Sequence, residues 1–230
     1  MRAKYPKASA RSDVYVDTKK HLRVSAGRSR KIIFGNDAAV DRTFREFWQD
    51  TTGGSLQSLA ENIMLDIFDG IRVPEDFKMK LVFDDLETMA GNANFTKSCG
   101  RDRDGTYIPV ASTFRIRVAF VGKGEDLWQI ANTLVHEFTH VRQMVTRQLR
   151  CGPGFDFWED QRFDKLEWEQ RPWEIDAVRS ESLLSPKHCR ENGLPVGKPW
   201  NAKRCLSPHD RGLMADAMDG RNFDAPEIRE

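Results

Sequence analysis

From about Asp126 to Arg150, apolar residues recur on one face of a 3.6-residue helix, and no other feature of the chain constrains its folding as strongly. With 100° per residue and Leu127 at zero, Ile130, Ala131, Leu134, Phe138, Val141, Val145 and Leu149 fall within about 60° of the origin. A stripe of that length has to be buried against other elements, so it predicts one long core-facing helix, with acidic residues at its start and Gly152 and Pro153 closing it. On the opposite side lie His136 near 180° and His140 near 220°, with Glu137 at the edge near 280°. The segment "LVHEFTHVRQ", Leu134 to Gln143, therefore carries two histidines that are not part of the leucine-lined face.

With five histidines and fourteen glutamates in 230 residues, a chance His-Glu-x-x-His is expected in about 0.7% of such chains, so the pattern points to a metal. Residues four apart on a helix are separated by ~6 Å along the axis and ~40° around it, which lets both imidazoles converge on one ion. A catalytic zinc keeps three protein ligands and one water, whose pKa falls toward ~7 on the metal. Glu137, adjacent to the first ligand, is placed to take the water's proton as general base and pass it to a leaving amine. Arg142 stands where an apolar residue is common.

The third ligand has to come from elsewhere. In "LEWEQRPWEIDAVRSE", Leu166 to Glu181, Pro172 suits the first turn of a helix and Glu174 projects from that opening turn. Glu167, Glu169, Asp176 and Glu181 compete with it on spacing alone. Upstream, "SLQSLAENIMLDIFDG" reads as a helix with Ser55 as N-cap, Leu56, Leu59, Ile63 and Ile67 on one face, and Gly70 as its stop. "DRTFREFW" has a shorter helical pattern with Phe44, Phe47 and Trp48 on one side. "FKMKLVFDD" alternates as a strand, Ala90 to Gly105 reads as a loop, and "TFRIRVAFVG" alternates strictly through Phe114, Ile116, Val118 and Phe120. This order of elements predicts an α+β domain. The aromatic segment from Phe155 to Trp173 reads as an irregular loop packed on the core, with a substrate cleft as the alternative.

"TLVHEFTHVRQ" followed some thirty residues later by "RPWEIDA" resembles the compact gluzincin-type metallopeptidases, especially SprT-like and phage-encoded zincins that pair HExxHxxQ with a later PWEIEA-like element. The likeness covers roughly residues 55 to 184, with Asp176 where a glutamate is expected. It implies a zincin-like α+β fold with a mixed sheet packed on the HExxH helix, zinc held by His136, His140 and Glu174, and Glu137 as the catalytic glutamate. It also implies a peptide or protein substrate aligned by an edge strand, which the resemblance places at Phe114, Ile116 and Val118. Tyr107, Arg171, His188 and His209 are candidate donors to the oxyanion, and the sequence does not choose among them. SprT-like repair proteases tend to carry a zinc ribbon, and the CxxC pairs it would need are absent here.

Composition sets the remaining bounds. Residues 1–31 hold ten Lys or Arg against two Asp, a charge of +8, while the rest of the chain carries −7. Such an arm suits a nucleic acid or an acidic partner. The expected organisation is a basic arm over 1–35, with "VYVD" and "KIIF" able to dock on the main body, a catalytic domain over 36–185 and an irregular extension over 186–230. In that extension His188, Cys189, Cys205 and His209 make a poor zinc knuckle, because the first two are adjacent. No apolar run reaches the ~18 residues of a membrane span and no secretory signal is visible, so a cytoplasmic protein with reduced thiols is expected, in the host cytoplasm or virion if phage-encoded. The expected activity is zinc-dependent peptide hydrolysis. The competing expectation is a nucleic-acid-binding or virion assembly protein whose zinc site is structural or vestigial.

Overall fold

The structure, a computed structural model, describes residues 21–23, 32–34, 49, 54, 56–74, 77–84, 91–95, 98–109, 113–119, 127–197 and 206–219. It is α+β. In chain order the elements are β1 His21–Arg23, β2 Ile32–Phe34, α1 Leu56–Ile67, β3 Arg72–Pro74, β4 Lys78–Asp84, β5 Gly91–Phe95, β6 Ser98–Arg101, β7 Tyr107–Pro109 and β8 Thr113–Ala119. Then follow α2 Leu127–Val145, β9 Leu149–Cys151, β10 Asp156–Trp158, β11 Gln161–Phe163, a 3-10 turn Trp168–Gln170, α3 Pro172–Glu191 and α4 Pro208–Met218.

The main sheet has the order β2-β4-β8-β5. Its first three strands are parallel, and β5 runs antiparallel to β8 along one edge. The parallel step from β2 to β4 needs a crossover, which α1 supplies. Leu56, Leu59, Ala60, Ile63, Met64 and Ile67 of α1 are buried, and Gly70 at φ 70° ends the segment as expected. Against these residues pack Met79 and Leu81 of β4 and the apolar stripe of α2.

Four expectations need correction. The long helix stops at Val145 rather than near Arg150, with Arg147 in the left-handed region at φ 63°. Leu149 keeps the phase of the helical stripe and is buried, but it is buried from β9. Two strands, β5 and β6, lie within the stretch read as a loop from Ala90 to Gly105. Among Gly91, Asn92, Ala93, Asn94 and Phe95 only the last favours strands, so pairing with β8 rather than local preference makes this one.

The peptide-pairing edge expected at Phe114, Ile116 and Val118 is not at β8. Those three residues pair with Phe95, Ala93 and Gly91 of β5 on one side, and with Met79, Leu81 and Phe83 of β4 on the other. Its backbone is committed to the ladders on both sides, and among the described residues the edge belongs to β5. Finally, the region 186–230 is not irregular throughout. Helix α3 runs on to Glu191, and α4 packs on it behind an N-cap at Ser207, whose hydroxyl oxygen accepts from the Asp210 amide at 3.1 Å.

The N-terminal expectations divide. Ile32–Phe34, within "KIIF", forms β2 of the main sheet, and His21–Arg23 forms β1 against β3. The arm is thus partly built into the fold. "VYVD", Ser55 and the helical "DRTFREFW" lie outside the described residues, apart from the following Gln49. The aromatic segment is more regular than expected, since β9, β10 and β11 form an antiparallel sheet and Trp158 and Phe163 pack against the core. No described helix is long and apolar enough to cross a membrane.

Candidate metal centre

Helix α2 is the middle layer of the site. Its leucine-lined face meets α1 and the sheet, while its histidine-bearing face is covered by α3 rather than left in water. Asn132, Thr133, Glu137, Thr139 and Gln143 are consequently buried although they lie off the apolar stripe. Helix α3 begins with Pro172 in its first turn, where a missing N–H costs nothing, and this brings Glu174 level with the two histidines.

There three donor atoms converge. His136 Nε2 and His140 Nε2 are 3.1 Å apart, and Glu174 Oε2 lies 3.3 Å from the first and 3.4 Å from the second. A tetrahedral shell with bonds of ~2.0–2.1 Å has donor-to-donor edges of about 3.3–3.4 Å, so the triangle already has the size zinc requires. Two imidazoles and one carboxylate with a fourth position open is the donor set of a catalytic zinc rather than of a closed structural one. Among the described residues this is the one group of at least three His, Cys, Asp or Glu side chains able to hold a metal ion.

The surrounding charges act strongly on the cluster. Burial disfavours a proton on His136, but hydrogen bonds to Glu174 and Glu181 outweigh it and raise its pKa to about 10. Burial likewise works against ionising Glu174, yet His136 and His140 hold its carboxyl well below the usual range. Glu137 is 5% exposed, and burial pushes its pKa up against the pull of both histidines. The backbone of Ala93 in β5 hydrogen-bonds the Glu137 carboxylate, which places the sheet edge directly beside that group.

The competing carboxylates have other places. Asp176 Oδ2 accepts from Arg142 and from Gln143 Nε2, while Glu181 Oε2 is 3.3 Å from His136 Nδ1, the nitrogen turned away from the cluster. Glu167 precedes the 3-10 turn and is exposed, and Glu169 lies within that turn. The oxyanion candidates are not brought together. The carbonyl of Tyr107 accepts from Arg147 beyond the end of α2, and Arg171 Nε donates to the Leu166 carbonyl at 3.1 Å. His188 is buried 3.1 Å from Asp66, tying α3 to α1, and His209 is exposed on α4. Cys151 and Cys189 are free thiols with pKa values raised by burial to about 12 and about 11, whereas Cys205 lies outside the described residues.

Two neighbours of the site have contacts with His136 that the sequence did not assign to them. The Trp168 ring stacks on His136 with centroids 6.4 Å apart and planes 11° from parallel. Glu181, seven residues after Glu174, falls about 20° from it around the helix, a relation that the spacing could have shown. Nothing in the local pattern marks Trp168, which reaches His136 from an irregular connection. No protein-family model, curated protein or solved structure matches this chain.

Proposed function

We propose that the chain is a zinc-dependent metallopeptidase with a zincin-like arrangement of sheet and helices. The observation that carries this reading is the His136–His140–Glu174 triangle with edges of 3.1–3.4 Å, flanked by the buried Glu137 carboxylate. A zinc ion held by those three residues supplies an acidified water and a Lewis acid for a peptide carbonyl.

The protein's own groups do the rest. Glu137, made more basic by burial and kept from excess by the two histidines, accepts a proton from the attacking water and returns it to the departing amine nitrogen. Strand β5 offers the sheet edge next to Glu137, so an extended peptide pairing with it lies across the open side of the cluster. This assigns to β5 the alignment role expected at Phe114, Ile116 and Val118. The aromatic face of Trp168 lies nearly parallel to the His136 ring.

The deciding experiment combines metal analysis with hydrolysis of a fluorescent peptide library, with and without chelator. The wild-type chain should carry close to one zinc and cleave. Glu137→Gln should keep the zinc and lose activity by about 10²–10⁴-fold, the usual contribution of a general base. Undiminished cleavage by Glu137→Gln, or by chelated protein, overturns the proposal.

A further inference from the structure

The two ligand histidines each present Nε2 to the cluster, and each turns Nδ1 toward a partner that decides where its proton sits. Around His140 the partner is Gln143, which is fully buried. Its side-chain nitrogen lies 3.0 Å from the Trp173 carbonyl and 2.8 Å from Asp176 Oδ2. Both of those atoms only accept, so both N–H groups of the amide are used there. The amide oxygen is left for His140 Nδ1 at 2.9 Å. An amide oxygen cannot donate, and the proton in that bond belongs to Nδ1. A neutral His140 then carries its lone pair on Nε2, the atom facing the other two donors. Asp176 in turn is anchored by Arg142, with Nη2 to Oδ2 at 2.5 Å.

Around His136 the same result is reached differently. Its Nδ1 is 3.3 Å from Glu181 Oε2, a carboxyl oxygen placed to accept from it. The Trp168 ring lies nearly parallel to the imidazole and restricts its rotation out of that bond.

Resting on the metal site of the proposed function, we infer that packing of α2 on α3 sets the tautomer of both ligands: Glu181 and the Asp176-oriented Gln143 are positioning residues that hold Nδ1–H and turn Nε2 to the ion. Neither touches the reacting atoms. Arg142 and Asp176 act one contact further out, by preventing the Gln143 amide from turning over and offering its nitrogen to His140. Outer partners of ligand histidines raise ligand basicity and hold ring orientation, and their removal typically costs 10–100-fold in metal affinity.

The test uses the full chain loaded with Zn2+ and reads metal binding, not turnover. Imidazole nitrogen NMR should show both ligand histidines bound through Nε2 with a proton on Nδ1; coordination through Nδ1 at either residue overturns the inference. Competition against a chromophoric chelator should show Glu181→Ala weakened 10–100-fold and Asp176→Ala about tenfold, while Glu181→Gln, which keeps an acceptor, stays within a few-fold of wild type. Wild-type affinity in a folded Glu181→Ala, or Glu181→Gln no better than Glu181→Ala, overturns the role of Glu181. The NMR measurement needs no variant, so a variant that fails to fold does not shield the inference. A chain that binds zinc with these tautomers yet cleaves no peptide removes the hydrolase reading and supports the tautomer assignment. A chain that takes up no zinc removes both.

Discussion

Glu174 sits in the opening turn of α3, at the positive end of the helix dipole, which favours a carboxylate, and its place there decides that it reaches the histidines. Glu174→Ala should lower bound zinc sharply at a fixed metal concentration, whereas Glu169→Ala, altering the turn before the helix, should leave it unchanged; metal analysis after gel filtration distinguishes them. The identities of His136, Glu137 and His140 were legible because helical spacing alone makes them neighbours. Glu174 was legible only as one of several carboxylates, since its selection depends on how α3 packs on α2. Arg142 and Asp176 each depart from the expected residue beside their motif, and they are each other's partners. A sequence shows two separate oddities there, and only the packed helices show one ion pair.

Strand β5 was invisible to periodicity because Gly91, Asn92, Ala93 and Asn94 have little intrinsic preference for extended structure, and its ladder to β8 is a tertiary contact. The overlong helix failed for the complementary reason. Leu149 continues the apolar phase past Val145, and phase does not reveal that Arg147 has a positive φ and that the chain turns back as β9. Ala93→Pro removes the amide proton that the Glu137 carboxylate accepts, so a loss shared by long and short peptides reports on Glu137, and a further loss confined to extended peptides reports alignment by β5. The variant should lower kcat/KM for extended peptides at least about tenfold, and zinc content should remain near one per chain. Equal turnover of long and very short peptides by that variant would separate β5 from substrate alignment.

At the scale of the whole molecule, a partly buried polar knot joins the loop after β6 to the end of α2 and the hairpin beyond it. Asp102 Oδ1 accepts from the amides of Asp104 and Thr106, and its Oδ2 accepts from Thr106 Oγ1, Arg147 and Arg150. Arg150, 9% exposed, also pairs with Asp104 and Asp160. Arg150→Ala removes the cation these carboxylates share, while Asp102 keeps Arg147 and Asp160 stays in water, so it should destabilise the fold by about 1–2 kcal/mol, measured by denaturant unfolding. Burial opposes ionising Asp102, but Thr106, Arg147 and Arg150 hold its pKa below the ordinary 3.8. Because the folded value is depressed, the stability it contributes is fully present above about pH 4 and is lost as pH falls through the lower folded value. Thermal unfolding followed below pH 4 should show that loss in the wild type and a smaller slope in Asp102→Asn. The basic arm also reads differently at this scale. Deleting residues 1–31 removes β1 from its pairing with β3, so a test of nucleic-acid binding should stop the deletion at residue 20. Salt-sensitive binding lost by that deletion, with hydrolysis retained, would add a targeting role to the arm.

The loop Asp102-Arg103-Asp104-Gly105-Thr106 has acidic side chains at alternate positions, a layout that elsewhere wraps calcium. Here the positive charge comes from two guanidinium groups on the same polypeptide, which no chelator can extract. Calcium-selective sequestrants should therefore leave melting and the proposed hydrolysis untouched, and loss of that hydrolysis to a zinc-selective one can be assigned to the His–His–Glu triangle.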